Sequence, residues 1–96
     1  MADFDHSIKT DAGKYRPTLV PTPIIKDIAE VRAYGAGKYG DSEAWREVTI
    51  ARYKDALLRH IIAMWDDTRA VDDESGLAHY KHAACNLAFI AELMES

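Results

Sequence analysis

Between Asp72 and Asn86 the chain sets carboxylates ahead of a helical run that carries two histidines and an asparagine on its packing face. At about 100° per residue, His79, His82 and Asn86 share a narrow arc with Ala83, Ile90 and Leu93. Buried polar groups cost free energy unless they are hydrogen-bonded or metal-bound. Any fold this chain adopts must therefore supply a polar network, a metal or a ligand at that face.

The flanking segments read as helices. Pro21-Thr22-Pro23 offers a start, with Thr22 as N-cap and Pro23 at the first helical position, for a helix to about Ala36 with Ile24, Ile28, Val31 and Gly35 as its stripe. Gly35, Gly37 and Gly40 break the chain around Lys38-Tyr39, and the stretch from Gly40 to Trp45 has no regular period, which predicts a loop carrying an aromatic ring. Thr49 caps a second helix from about Ile50 to Trp65, with Tyr53, Ala56, Leu57, His60 and Met64 facing inward. The acidic stretch from Asp66 to Asp73 is a linker. A third helix starts at Ser75 or Gly76 and runs through about Met94, which places Asp73 and Glu74 at its positive end. No strand alternation is sustained. The prediction is an all-α fold of three helices, the last two an antiparallel hairpin, with residues 1–20 an extended N-terminal arm and residues 21–96 a single helical domain.

Composition narrows the function classes. A chain of 96 residues is one domain with a modest core of its own, and Ile24, Ile28, Leu58, Ile62 and Phe89 would be covered in a homo-oligomer. There is no apolar run long enough for a membrane span or a secretory segment, so a cytoplasmic protein is expected. The one cysteine, Cys85, fits a reducing compartment and a small core position. A net charge of −4 argues against DNA or RNA duplex binding, which needs a basic surface, so any nucleotide partner should be small.

Three constellations carry chemistry. Antiparallel packing of the inward stripes brings His60 toward His79, His82 and Asn86, with Asp73 and Glu74 closing one end. Imidazoles with carboxylates suit Zn²⁺, Mn²⁺ or Fe²⁺, and carboxylates with phosphate oxygens suit Mg²⁺. The alternative is a buried His–Asn hydrogen-bond network that fixes helix register. A second group is cationic and aromatic: Lys14, Arg16, Lys38, Tyr39 and Trp45, with Arg52 and Arg59 on the second helix. Cations neutralise phosphate and aromatic faces stack bases, although a loop tryptophan also commonly covers a core edge. Asp27 and Glu30, three residues apart, share a helix flank that either supplies carboxylates to a cation or is simply solvated.

Taken in order, Asp11-x-Gly13-Lys14-x-Arg16, Gly35-x-x-Lys38-Tyr39-Gly40, Trp45, Ala56-Leu57-x-Arg59-His60 and Asp73-x-Ser75-Gly76-Leu77-x-His79-x-x-His82-Ala83-x-x-Asn86 resemble the phage-type dATP/dGTP diphosphohydrolase N-terminal-domain family. The resemblance spans about residues 7–94. It implies a metal-dependent all-α protein, similar in style to MazG-like pyrophosphohydrolases, that removes pyrophosphate from a purine deoxynucleoside triphosphate in phage nucleotide metabolism. The MazG-like pattern Glu-Glu-x-x-Glu followed by Glu-x-x-Asp is not present, and Glu30, Asp73 and Glu74 stand in for it. On this reading those three hold Mg²⁺ or Mn²⁺, and His60, His79, His82 and Asn86 form the catalytic group. Lys14, Arg16, Lys38 and Arg59 grip phosphates, while Tyr39 or Trp45 stacks the purine. The competing expectation is a non-catalytic nucleotide-binding phage protein that sequesters a host nucleotide signal.

Overall fold

The computed structural model describes residues 13–95, and three helices dominate it: α1 (Pro23–Tyr39), α2 (Ile50–Met64) and α3 (His79–Met94). Short 3₁₀ turns sit at Pro17–Leu19 and Ala44–Glu47. Among the described residues there is no strand, only one antiparallel bridge between Val71 and Ala78. The first twelve residues of the expected arm, Asp11 among them, lie outside the described residues. Residues 13–20 are exposed apart from half-buried Arg16.

The all-α prediction holds, and α2 packs on α3 antiparallel: Tyr53 meets Phe89 at one end of the contact and His60 meets His79 at the other. α2 starts as expected, with the Thr49 hydroxyl accepting from the Arg52 N–H at 3.3 Å. Two other boundaries differ from the prediction. α1 continues through Gly35 and Gly37 to Tyr39 and stops only at Gly40, whose N–H makes the last bond to the Ala36 carbonyl and whose left-handed φ of 70° then turns the chain out of the helix. Thr22 is itself helical in backbone conformation and makes no side-chain cap.

α3 starts at His79 rather than at Ser75 or Gly76, because local side chains compete for the backbone there. Asp72 Oδ2 accepts from the Ser75 N–H at 2.9 Å, and Ser75 Oγ accepts from the Leu77 N–H at 3.1 Å. With Gly76 at φ 74°, these bonds make a tight turn. The Ala70 carbonyl then takes the first N–H of α3, that of His79, at 2.9 Å.

The core is small and partly polar. Tyr53, Cys85 and Ile90 are buried, and so are Asp27 and Asn86, at 8% and 9% exposure. Asp27 lies 3.6 Å from Lys81 of α3, which also reaches Glu30 at 3.2 Å, so the flank expected to bind a cation or to be solvated docks α1 on α3. Of the apolar residues expected to be covered in an oligomer, Leu58 and Ile62 are exposed, while Ile24, Ile28 and Phe89 are half-buried within the chain.

The two helix-end glycines should respond oppositely to alanine. Nothing lies within 4 Å of a Cβ at Gly37, so Gly37→Ala should stabilise the fold by about 0.5–1 kcal/mol in urea unfolding. Gly40→Ala, forced into a left-handed backbone, should destabilise it by about 1–2 kcal/mol.

Candidate functional site

α1 leans on α3, and between it and α2 lies a cleft of about 610 Å³. Its floor is apolar. The Trp45 ring stacks on Phe89 at 4.3 Å between centroids, Tyr53 tilts against Phe89 at 5.0 Å, and the Tyr53 hydroxyl donates to the Trp45 carbonyl at 2.6 Å. Stacked and tilted aromatic pairs contribute about 0.5–1.5 kcal/mol beyond simple burial. Guanidinium groups complete this end: Arg46 lies 4.5 Å and Arg32 5.6 Å from the Trp45 ring centroid. Arg32 is also anchored to the Ser42 carbonyl.

The other end is polar. His60 of α2 faces His79 with their Nδ1 atoms 2.8 Å apart, and its ring stacks on His82 at 4.7 Å. His82 Nε2 is 2.6 Å from Ser75 Oγ and 3.8 Å from Asp72 Oδ2. The Tyr34 ring stands edge-on to His82, and its hydroxyl donates to Glu74 at 3.1 Å. Lys38 binds the same Glu74 oxygen.

Burial sets the charge state of this cluster. It pushes the pKa of His60 down, with the neighbouring imidazoles His82 and His79 and the Arg59 charge adding to the effect and Asp72 opposing it. Burial lowers His82 as well, against the pull of Asp72 and Glu74. For Asp72, burial works upward but is outweighed by the backbone and side-chain bonds of Ser75 and by His82 and His60, so its carboxyl ends below its ordinary value. The Lys38 and Tyr34 bonds lower Glu74. The Cys85 thiol is pushed up to about 11 by burial, which makes it an inert packing residue. The site thus offers neutral imidazoles beside charged carboxylates, a combination able to take a proton or hold a cation.

The cleft gathers many of the residues singled out from the sequence. His60, His82, Asn86, Arg59, Lys38 and Glu74 all line it, with Tyr39 beside Lys38, Trp45 toward the other end and His79 behind His60. Tyr39 is 67% exposed. Others fall elsewhere. Glu30 pairs with Lys81, Asp73 is exposed next to Asp72, and Lys14 and Arg16 precede α1 without lining the cleft. Tyr34, Asp72 and Ser75 are site residues that the sequence reading did not select. The Asp72-x-x-Ser75-Gly76 spacing, a turn signature in which side chains bond nearby backbone N–H groups, is the signal that identifies the last two.

Comparison with known proteins agrees with the motif resemblance. The family described as dATP/dGTP diphosphohydrolase, N-terminal, matches residues 5–96. A dATP/dGTP diphosphohydrolase of Salmonella phage PMBT28 is 37% identical over 89 residues, covering 93% of this chain but only 30% of the phage protein. No solved structure shows a significant match.

Because folding holds His60 and His82 in their neutral forms, their contribution to stability is complete above the ordinary imidazole value and is lost as pH falls below it toward the depressed folded values. In metal-free buffer the unfolding midpoint should therefore hold steady down to about pH 7 and drop as pH falls below the ordinary imidazole value of about 6.5. Replacing both residues by asparagine should flatten that drop in thermal melts.

Proposed function

Because the chain belongs to the dATP/dGTP diphosphohydrolase N-terminal family, we propose that its cleft binds a purine deoxynucleoside triphosphate and supports hydrolysis to the monophosphate and pyrophosphate. The observation that carries this reading is the division of one cleft into an aromatic end and an imidazole–carboxylate end, with Lys38, Arg52 and Arg59 along it. A nucleotide has the matching division into a flat base and an anionic tail.

In this reading Arg59 and Arg52 hold phosphate oxygens, and Tyr39 stacks the base. His82, kept neutral and close to Ser75, takes a proton from the attacking water as its oxygen bonds to the α-phosphorus. The bond from that phosphorus to the bridging oxygen breaks, and pyrophosphate leaves. Mg²⁺ or Mn²⁺ would neutralise charge on the phosphate oxygens. Glu74, which lines the cleft, and its neighbour Asp73 offer the oxygen donors these ions take, whereas Glu30 is committed to Lys81 outside the cleft. Such a reaction belongs to the host cytoplasm of a phage infection. No helix among the described residues is long and apolar enough to cross a membrane.

A second reading is a nucleotide-binding module without catalysis. It is favoured by the engagement of Glu74 with Lys38 and Tyr34, which leaves few free carboxylates in the cleft. One experiment separates the two. Purified protein is incubated with dATP, dGTP, ATP and GTP with Mg²⁺ and then Mn²⁺, and the products are resolved by ion exchange. Monophosphate plus pyrophosphate, abolished by His82→Ala, supports the hydrolase. Nucleotide retained on the protein and recovered intact supports the binding module, and neither turnover nor retention rules out both. Tyr39→Ala should weaken nucleotide binding about tenfold, the loss expected for one base–aromatic stack.

A further inference from the structure

We propose that His60, Asp72 and His79 form a binding site for one first-row transition-metal ion, distinct from any Mg²⁺ or Mn²⁺ that accompanies a nucleotide. The three residues come from α2, the α2–α3 connection and the first turn of α3. One ligand atom of each, the two imidazole nitrogens and a carboxylate oxygen, lies within 4.8 Å of the others. The site does not depend on the hydrolase reading, because metal binding by the chain alone decides it.

The geometry points at a shared centre. The Nδ1 atoms of His60 and His79 are 2.8 Å apart, so in the metal-free protein one must carry a proton and donate it to the other. Two nitrogens on one metal at about 2.0–2.1 Å sit roughly 3 Å from each other, so a metal ion replaces that proton with small movements of the rings. All three residues are half-buried, which shields the site yet leaves a path for an ion and room for further ligands.

Bonds independent of the metal hold each ligand in place. The Asp72 N–H donates to the Leu77 carbonyl at 2.9 Å, the Gly76 N–H donates to the Asp72 carbonyl at 2.8 Å, and the Ser75 N–H holds the Asp72 carboxylate. His79 is pinned through its own N–H to Ala70, and His60 is backed by the stacked His82 ring. Such outer partners orient metal ligands and raise affinity. The first turn of α3 carries the positive end of a helix dipole, which opposes a cation. The Asp72 carboxylate offsets that field, and with two neutral imidazoles it leaves a divalent ion with one net positive charge facing the cleft, where His60 and Asp72 lie in the wall.

The donor set selects the metal. Imidazole nitrogen suits Zn²⁺, Co²⁺, Ni²⁺ and Fe²⁺, whereas Mg²⁺ takes oxygen ligands in a near-ideal octahedron. The site should therefore prefer Zn²⁺ and Co²⁺ and ignore Mg²⁺. Cys85 is buried in the core and does not belong to the set, so no thiolate signature is expected.

The test is titration of chelator-stripped protein with Zn²⁺ by calorimetry and with Co²⁺ by visible absorption, each repeated in excess Mg²⁺. One ion per chain, undisturbed by Mg²⁺ and without a thiolate–cobalt charge-transfer band, is the expected result. His60→Gln, Asp72→Asn and His79→Gln should each lower affinity more than tenfold, while Cys85→Ala, at a buried core position outside the ligand set, should leave it unchanged. Circular dichroism of each metal-free variant checks folding. If one variant fails to fold, the other two still decide. No stoichiometric binding, or binding retained in the folded variants, would mean that His60 and His79 share only a hydrogen bond and would overturn the proposal.

Discussion

The hydrogen bond from the His79 N–H to the Ala70 carbonyl constrains the whole polar end of the molecule. It closes the α2–α3 connection into a short antiparallel pair, reinforced by the Val71–Ala78 bridge, and it fixes the residue at which α3 begins. A helix starting three or four residues earlier would take up Ser75 and Gly76 and straighten the turn that holds Asp72. Starting at His79, α3 places its first imidazole against His60 and its second, one turn later, against the same ring from another side. The histidine cluster is thus a product of backbone closure, and its side chains need only be the right type.

Charge is distributed around that cluster in a consistent way. Burial suppresses positive charge on His60 and His82, so the fixed positive charge lining the cleft resides on arginine and lysine. Glu74 tempers part of it by engaging Lys38, and the Tyr34 hydroxyl shares the same oxygen. Lys38 is thereby held at the rim instead of sweeping through solvent. At the opposite end Arg32 and Arg46 lie near the faces of the stacked Trp45 and Phe89 rings, and Glu43 takes the Trp45 indole N–H and pairs with Arg46. The two ends differ enough to orient a ligand with unlike ends.

Helix content and inward faces were largely legible in the sequence, because the period of α2 and the Thr49 cap follow local rules that packing did not overturn. Boundaries were harder. The glycines of α1 suggested an early stop, but an isolated glycine lowers helix propensity by only about 1 kcal/mol, and the strand-free turn that ends the helix needs the left-handed backbone available at Gly40. The start of α3 was misplaced because Asp72 and Ser75 bond the backbone of the turn, a competition that periodicity does not register. A start at Ser75 puts Asp73 and Glu74 at the positive end of the helix, whereas the actual turn brings Asp72 toward the imidazoles. The ordered motifs identified the family, yet which carboxylate faces an imidazole depends on a turn of six residues.

The docking of α1 has a mechanical consequence. This helix rests mainly on α3, where the Asp27–Lys81–Glu30 ion group joins the two, and makes little contact with α2. One wall of the cleft is therefore fastened at two separated places along its helix, by Lys81 near the start and by Glu74 near the end. Salt reaches the two fastenings unequally, since Lys38 and Glu74 are solvated while Asp27 and Lys81 are largely shielded, so ionic strength loosens α1 at the end nearest the histidines while its other end and the α2–α3 frame keep their shape.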